Sequence, residues 1–137
     1  MSPVHMSEKL REVLDSRVFV TVATLQPDGS PHQSVVWVGR DGDDLFFVTG
    51  SDKLKVRNLR RDPRLSVTVN PPDEPYGYAV ISGTARFESA GSRERMDELA
   101  VKYTGKLYAE HHPESYATLP ELVTVHVAPE KIASRFL

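Results

Sequence analysis

Short runs of β-branched and aromatic residues, cut apart by tight turns, constrain this chain more than any other feature. The segments 17–25 (RVFVTVATL) and 32–38 (HQSVVWV) flank QPDGSP, where Asp28-Gly29 is a strong hairpin signal between two apolar runs. RDGDD turns the chain again before 45–49 (LFFVT), so these three runs read as a meander. Segment 64–69 alternates, with Leu65, Val67 and Val69 on one face. After the rigid NPPDEP loop, 76–89 reads as one long strand bent at Gly83. LVTVHV (122–127) is a last alternating strand, followed by a short apolar tail, KIASRFL.

Three helices fit between these strands. Ser7 can cap a helix over 7–15, with Leu10, Val13 and Leu14 at helical spacing. Ser51 or Asp52 can cap a second that ends near Arg61, because Asp62 precedes Pro63. The third, 92–105, has Met96, Leu99, Ala100 and Tyr103 on one side. Arg93/Asp97 and Glu98/Lys102 stand four apart, and Gly105 can end it. With 137 residues and no repeat or linker, the chain reads as one domain, 1–137. About six antiparallel strands with short turns and three helices predict a closed or nearly closed β-barrel flanked by helices.

Several function classes fall away at once. The absence of cysteine removes disulfides, thiolate catalysis and thiolate metal sites, and points to a cytoplasmic protein. No metal is expected: His111-His112 read as an exposed loop, and His126 alternates outward on its strand. No G-x-S-x-G, Walker-type or Rossmann glycine pattern occurs. The charged N-terminus is no signal peptide, and no apolar run could span a membrane. A net charge of -2 argues against a general nucleic-acid binder.

Against that acidic balance, Lys53, Lys55, Arg57, Arg60, Arg61 and Arg64 gather in one segment. A solvated helix face is one reading. The other is a phosphate site, because the cations begin where a strand stops and a helix starts. Lys53 and Lys55 are two apart and cannot share a regular helix face, so a joint site needs them on the extended approach and first turn, beside Thr49 and Ser51. Spacing alone leaves both readings open. Leu54, Val56 and Leu59 read as core, and Arg60, Arg61 and Arg64 as surface charges partly balanced by Asp62.

TVATLQPDGSPHQSVVWV, LFFVTGSDKLKVRNLRRDPRLSVTV and YGYAVISGTARF together resemble the flavin- and deazaflavin-binding split β-barrel family related to pyridoxamine 5′-phosphate oxidase. The similarity runs over residues 8 to 130 and is nearest the actinobacterial branch that uses coenzyme F420, with K-x-R-N-L-R-R-D-P-R its most specific run. It implies a homodimer of six-stranded barrels with two cofactor sites in grooves between the subunits. It also implies that Lys55 grips the cofactor phosphate with help from Lys53, and that Ser34, Val35, Val36 and Trp37 lie along the ring system. Val48, Thr49 and Ser51 would line the ribityl chain and phosphate, and Tyr78 would reach in from the partner subunit. From the residues alone, Trp37 and Tyr78 read equally well as core. No tryptophan follows Trp37, and oxidases of pyridoxamine phosphate carry an arginine- and tryptophan-bearing C-terminal extension, which weighs against vitamin B6 oxidation.

The expected function is an F420-dependent reductase that passes hydride to an unsaturated small-molecule substrate. The alternatives are an FMN-binding oxidoreductase and a non-catalytic binder of either cofactor. Arg57, Arg60 and Lys106 are spare cations for the anionic tail of F420. Tyr78 or a water is the expected proton donor, and the loops 71–77 and 106–121 the expected substrate walls. A homodimer also follows from size. So small a barrel has no interior room for a tricyclic ring, and the run Val35–Val38 must turn one pair of apolar side chains outward.

Overall fold

The computed structural model describes residues 4–114 and 121–137. The elements run α1 (Glu8–Asp15), β1 (Val20–Leu25), β2 (Pro31–Val36), β3 (Gly39–Asp41), β4 (Asp44–Gly50), α2 (Leu54–Arg61), β5 (Arg64–Val69), β6 (Tyr78–Glu88), α3 (Ser92–Thr104), α4 (Tyr108–His111) and β7 (Leu122–Arg135). One antiparallel sheet carries all seven strands in the order β2-β1-β5-β6-β7-β4-β3.

That order revises the expected meander. β1 and β2 form the hairpin that Asp28-Gly29 predicts, with Gly29 at φ 87°. β2 stays at one edge of the sheet, beside β1 alone, instead of pairing with β4, whose neighbours are β7 and the short β3. The two edge strands are nevertheless adjacent in sequence. Only Trp37 and Val38 separate Val36 from Gly39, so the edges lie within roughly 11 Å of each other at full extension. The sheet is therefore rolled into a barrel but not closed, a split barrel with its seam at Trp37-Val38.

Inside, Val20, Val22, Leu45, Phe47, Leu65, Val67, Ile81, Val125 and Val127 meet Leu10 and Leu14 of α1 and Leu59 of α2. Ser7 caps α1 as expected, its hydroxyl accepting from the N–H of Leu10 at 3.0 Å. The bend at Gly83 also stands. A side chain there would collide with the carbonyl oxygen of Ala128, and the β6–β7 register shifts by one residue beside it. Past that bulge β7 continues to Arg135, so the expected tail is the second half of a strand.

Two further corrections concern the third helix. α3 packs over the outer side of β4 and β7, so Phe46 and His126 are buried there and His126 does not face water. Its Nε2 lies 3.1 Å from Glu88 Oε1. The expected Glu98–Lys102 pair is also replaced: Glu98 pairs with Arg95 at 3.2 Å, while Lys102 turns inward to backbone carbonyls. Asp97 accepts from the N–H of Tyr108, so α3 sets the start of α4.

Candidate functional site

α2 starts one or two residues later than its cap signals suggest, at Leu54, with Lys53 as an extended N-cap residue (φ −70°, ψ 151°). This puts Lys53 on the approach and Lys55 in the first helical turn. Val56, Asn58 and Leu59 dock the helix, and the Asn58 amide donates to the Thr24 hydroxyl at 3.1 Å. Lys55 is thereby held half-buried, and burial, with Lys53 as a lesser cause, pushes its ammonium pKa below the ordinary value.

Beside Lys55 lies a pocket of about 360 Å3. The end of β2 and the seam contribute Val35, Val36 and Trp37, and β4 contributes Val48 and Thr49. Phe19, Met96, Leu99, Tyr108 and His112 complete its lining. Among the described lining residues Lys55 is the one lysine or arginine. Its position and chemistry suit an anionic group, and the aromatic and aliphatic walls suit a flat ring.

The structure thus gathers Val35, Val36, Trp37, Val48, Thr49 and Lys55 around one space. Ser34 precedes them on β2 without lining the pocket, and its buried hydroxyl has no hydrogen-bond partner among the described residues. Three expected residues lie elsewhere in the chain. Ser51 sits in the turn before α2, its N–H given to the Glu121 carbonyl at 2.8 Å; Lys53 is exposed at the helix cap; Tyr78 is exposed at the start of β6. None of the three lines the pocket of its own chain.

Sequence reasoning missed five lining residues. Met96 and Leu99 carry only the signature of a helix's apolar face, and Phe19 that of a strand. Tyr108 and His112 come from the 106–121 segment, where α4 replaces part of the expected loop. Residues 115–120 of that segment fall outside the described residues. A larger recess of about 400 Å3 lies along β1, β5 and β6, and it includes none of the expected site residues.

A rolled, unclosed antiparallel barrel flanked by helices defines the split-barrel class. The family profile described as pyridoxamine 5′-phosphate oxidase matches residues 6–136, and the chain belongs to that family. It is similar to a solved F420 reductase, at 26% identity and TM-score 0.81 over 93% of this chain and 98% of that one. It is likewise similar to the conserved hypothetical protein Rv2991 from Mycobacterium tuberculosis, at 26% identity and TM-score 0.77 over 98% of this chain and 87% of that one. A pyridoxamine 5′-phosphate oxidase-related, FMN-binding protein from Nostoc punctiforme shares the fold at 15% identity and TM-score 0.68, over 98% of this chain and 86% of that one.

Proposed function

We propose that this protein is a reductase that binds coenzyme F420 and delivers hydride to an electron-poor double bond of a small organic substrate. The observation that carries the reading is Lys55, half-buried at an aromatic-walled pocket and lacking a carboxylate partner among the described residues. The likeness to an F420 reductase over nearly the whole of both chains supports the choice of cofactor.

A bound deazaflavin supplies hydride and, with carbon at its reactive position, resists oxygen. The chain's own residues bind and orient. Lys55 would hold the phosphate, with Lys53 close by on the helix approach, while Val36 and Trp37 would form the floor for the ring. Ser34 would flank the ring site from β2, and Val48, Thr49 and Ser51 would border the ribityl chain. The proton that follows hydride needs a carrier, and Tyr108 and His112 are proton-bearing side chains already at this pocket.

The active form in this reading is a homodimer. The outer face of the sheet presents two cross-strand rows without a formal charge: Val35–Thr21–Thr68–Val80 and Gln33–Ala23–Ser66–Ser82. Val35 is 64% exposed. Such a face is suited to a second copy, which would bring its Tyr78 towards the pocket.

FMN is the second reading, and a specific observation favours it. Two of the three cations expected for the F420 tail are engaged away from the pocket: Arg57 donates to the Asp52 carbonyl, and Arg60 lies over the Phe87 ring at 4.4 Å. Titrating the purified protein with F420 and with FMN decides between them. Oxidation of reduced F420 by a panel of activated alkenes then separates a reductase from a non-catalytic binder. Binding without turnover across the panel would overturn the enzyme reading.

A further inference from the structure

The seam of the barrel is held by side chains, not by a ladder. Both backbone polar groups of Val38 are taken by α3: its N–H donates to Tyr103 Oη at 3.1 Å, and its carbonyl accepts from Lys102 Nζ at 2.6 Å. The same two side chains reach the start of the chain. Lys102 also donates to the Leu14 carbonyl at 2.6 Å, and Tyr103 to that of Val18. Tyr103's ring in turn stacks on Trp37 (5.2 Å between centroids, 5° between planes) and on Phe19 (5.7 Å, 27°). Phe19 and Trp37 are pocket residues; Lys102 and Tyr103 are not.

We propose that Lys102 and Tyr103 are positioning residues: they clasp the split of the barrel and thereby hold Phe19 and Trp37 as the aromatic wall of the ligand pocket. A wall on an unpaired two-residue crossover has no sheet hydrogen bonds to fix it. Its rings would sample several rotamers, and a ligand would have to order them on binding. The clasp removes that freedom beforehand. Ligand affinity is then set in part by two residues that never touch the ligand. A purely structural role would give the same four hydrogen bonds but would leave Trp37 unchanged in any variant that still folds.

Trp37 is the chain's single tryptophan, so its emission reports on this wall without any ligand. The test compares Tyr103→Phe, which keeps the stacked ring and loses the hydroxyl, with Lys102→Met, Lys102→Arg and the core variant Ile81→Val. Each is studied well below its melting temperature. Tyr103→Phe and Lys102→Met should at least double the acrylamide quenching of Trp37. Lys102→Arg should restore much of the protection, and Ile81→Val should lower stability with quenching unchanged. The affinity arm rests on the cofactor reading and uses FMN as probe: a loss of about tenfold is expected in Tyr103→Phe. If FMN fails to bind the unaltered protein, the FMN reading falls while the F420 reading stands, and Trp37 quenching alone decides the clasp. Folded Tyr103→Phe and Lys102→Met proteins with quenching equal to the unaltered chain would overturn the proposal.

Discussion

Asn58 of α2 donates its side-chain amide to the hydroxyl of Thr24 on β1, and both residues are sealed from solvent. Together with Arg61, which donates to the Leu25 carbonyl of β1 and to Asn58 Oδ1, this contact ties the helix that carries Lys55 to the sheet. Asn58→Ala should cost about 1–3 kcal/mol, because it removes a buried hydrogen bond and strands the Thr24 hydroxyl. Chemical denaturation measures it, and combining the change with Thr24→Val should restore part of the loss. Strictly additive losses would show that the two groups are not coupled.

Lys55→Ala should weaken cofactor binding by roughly ten- to a hundredfold, the value of about 1.5–3 kcal/mol for a charge-assisted contact. Arg64→Ala should change it little, because Arg64 is exposed and paired with Asp62 at 2.7 Å. Calorimetric titration of both variants makes the comparison. Equal losses would mean that the basic segment is a solvated face after all.

Cofactor preference should depend on salt. If cations near the mouth meet the anionic tail of F420, its advantage over FMN should shrink as ionic strength rises and screening shortens to about 8 Å or less. Fluorescence titration at two salt concentrations reads this. Tighter binding of FMN at both would transfer the assignment to FMN.

A stable homodimer is expected, with a mass about twice 15.3 kDa in light scattering at micromolar concentration. Val35→Asp would place a charge at one end of the uncharged row and should shift the protein towards monomer. A monomer that binds cofactor fully would remove Tyr78 of a partner from the site.

Stability should rise with pH in a window that belongs to Lys102. Burial is the largest cause of its displacement and lowers its pKa from 10.5 to about 8; Asp15 opposes the shift and Arg40 adds to it, with Glu98 and Tyr103 also beside it on α3. The unfolded chain then holds that proton more tightly than the folded one. Protonation therefore favours unfolding, and the penalty fades as pH climbs through about 8 towards 10.5. Melting temperatures of the unaltered protein and Lys102→Met should converge or cross in the direction favouring lysine between about pH 7 and 9.5. A difference that does not change with pH would show that Lys102 keeps an ordinary pKa.

Much of this architecture is legible in the residues. Alternating apolar side chains mark the strands, Ser7 announces α1, Asp28-Gly29 makes its hairpin, and Gly83 marks the point where β6 touches the Ala128 carbonyl. These signals are local: a cap, a turn or a pleat is decided by neighbours a few residues apart, so sequence states them. The basic segment was equally visible, although its residues alone left a phosphate site and a solvated face both open.

Tertiary structure decided what depends on meetings between distant segments. β2 parts from β4 because β7 takes the place beside it, and nothing within β4 encodes that competition. His126 reads as an outward position until α3 covers that side of the sheet, burying it together with Phe46. Phe19, Trp37, Met96, and the pair Tyr108 and His112 enter one pocket from four separate places in the chain. A strand's alternation tells which side chains share a face. It cannot tell which element that face will meet, because the burial that stabilises the meeting is non-directional and depends on the whole fold.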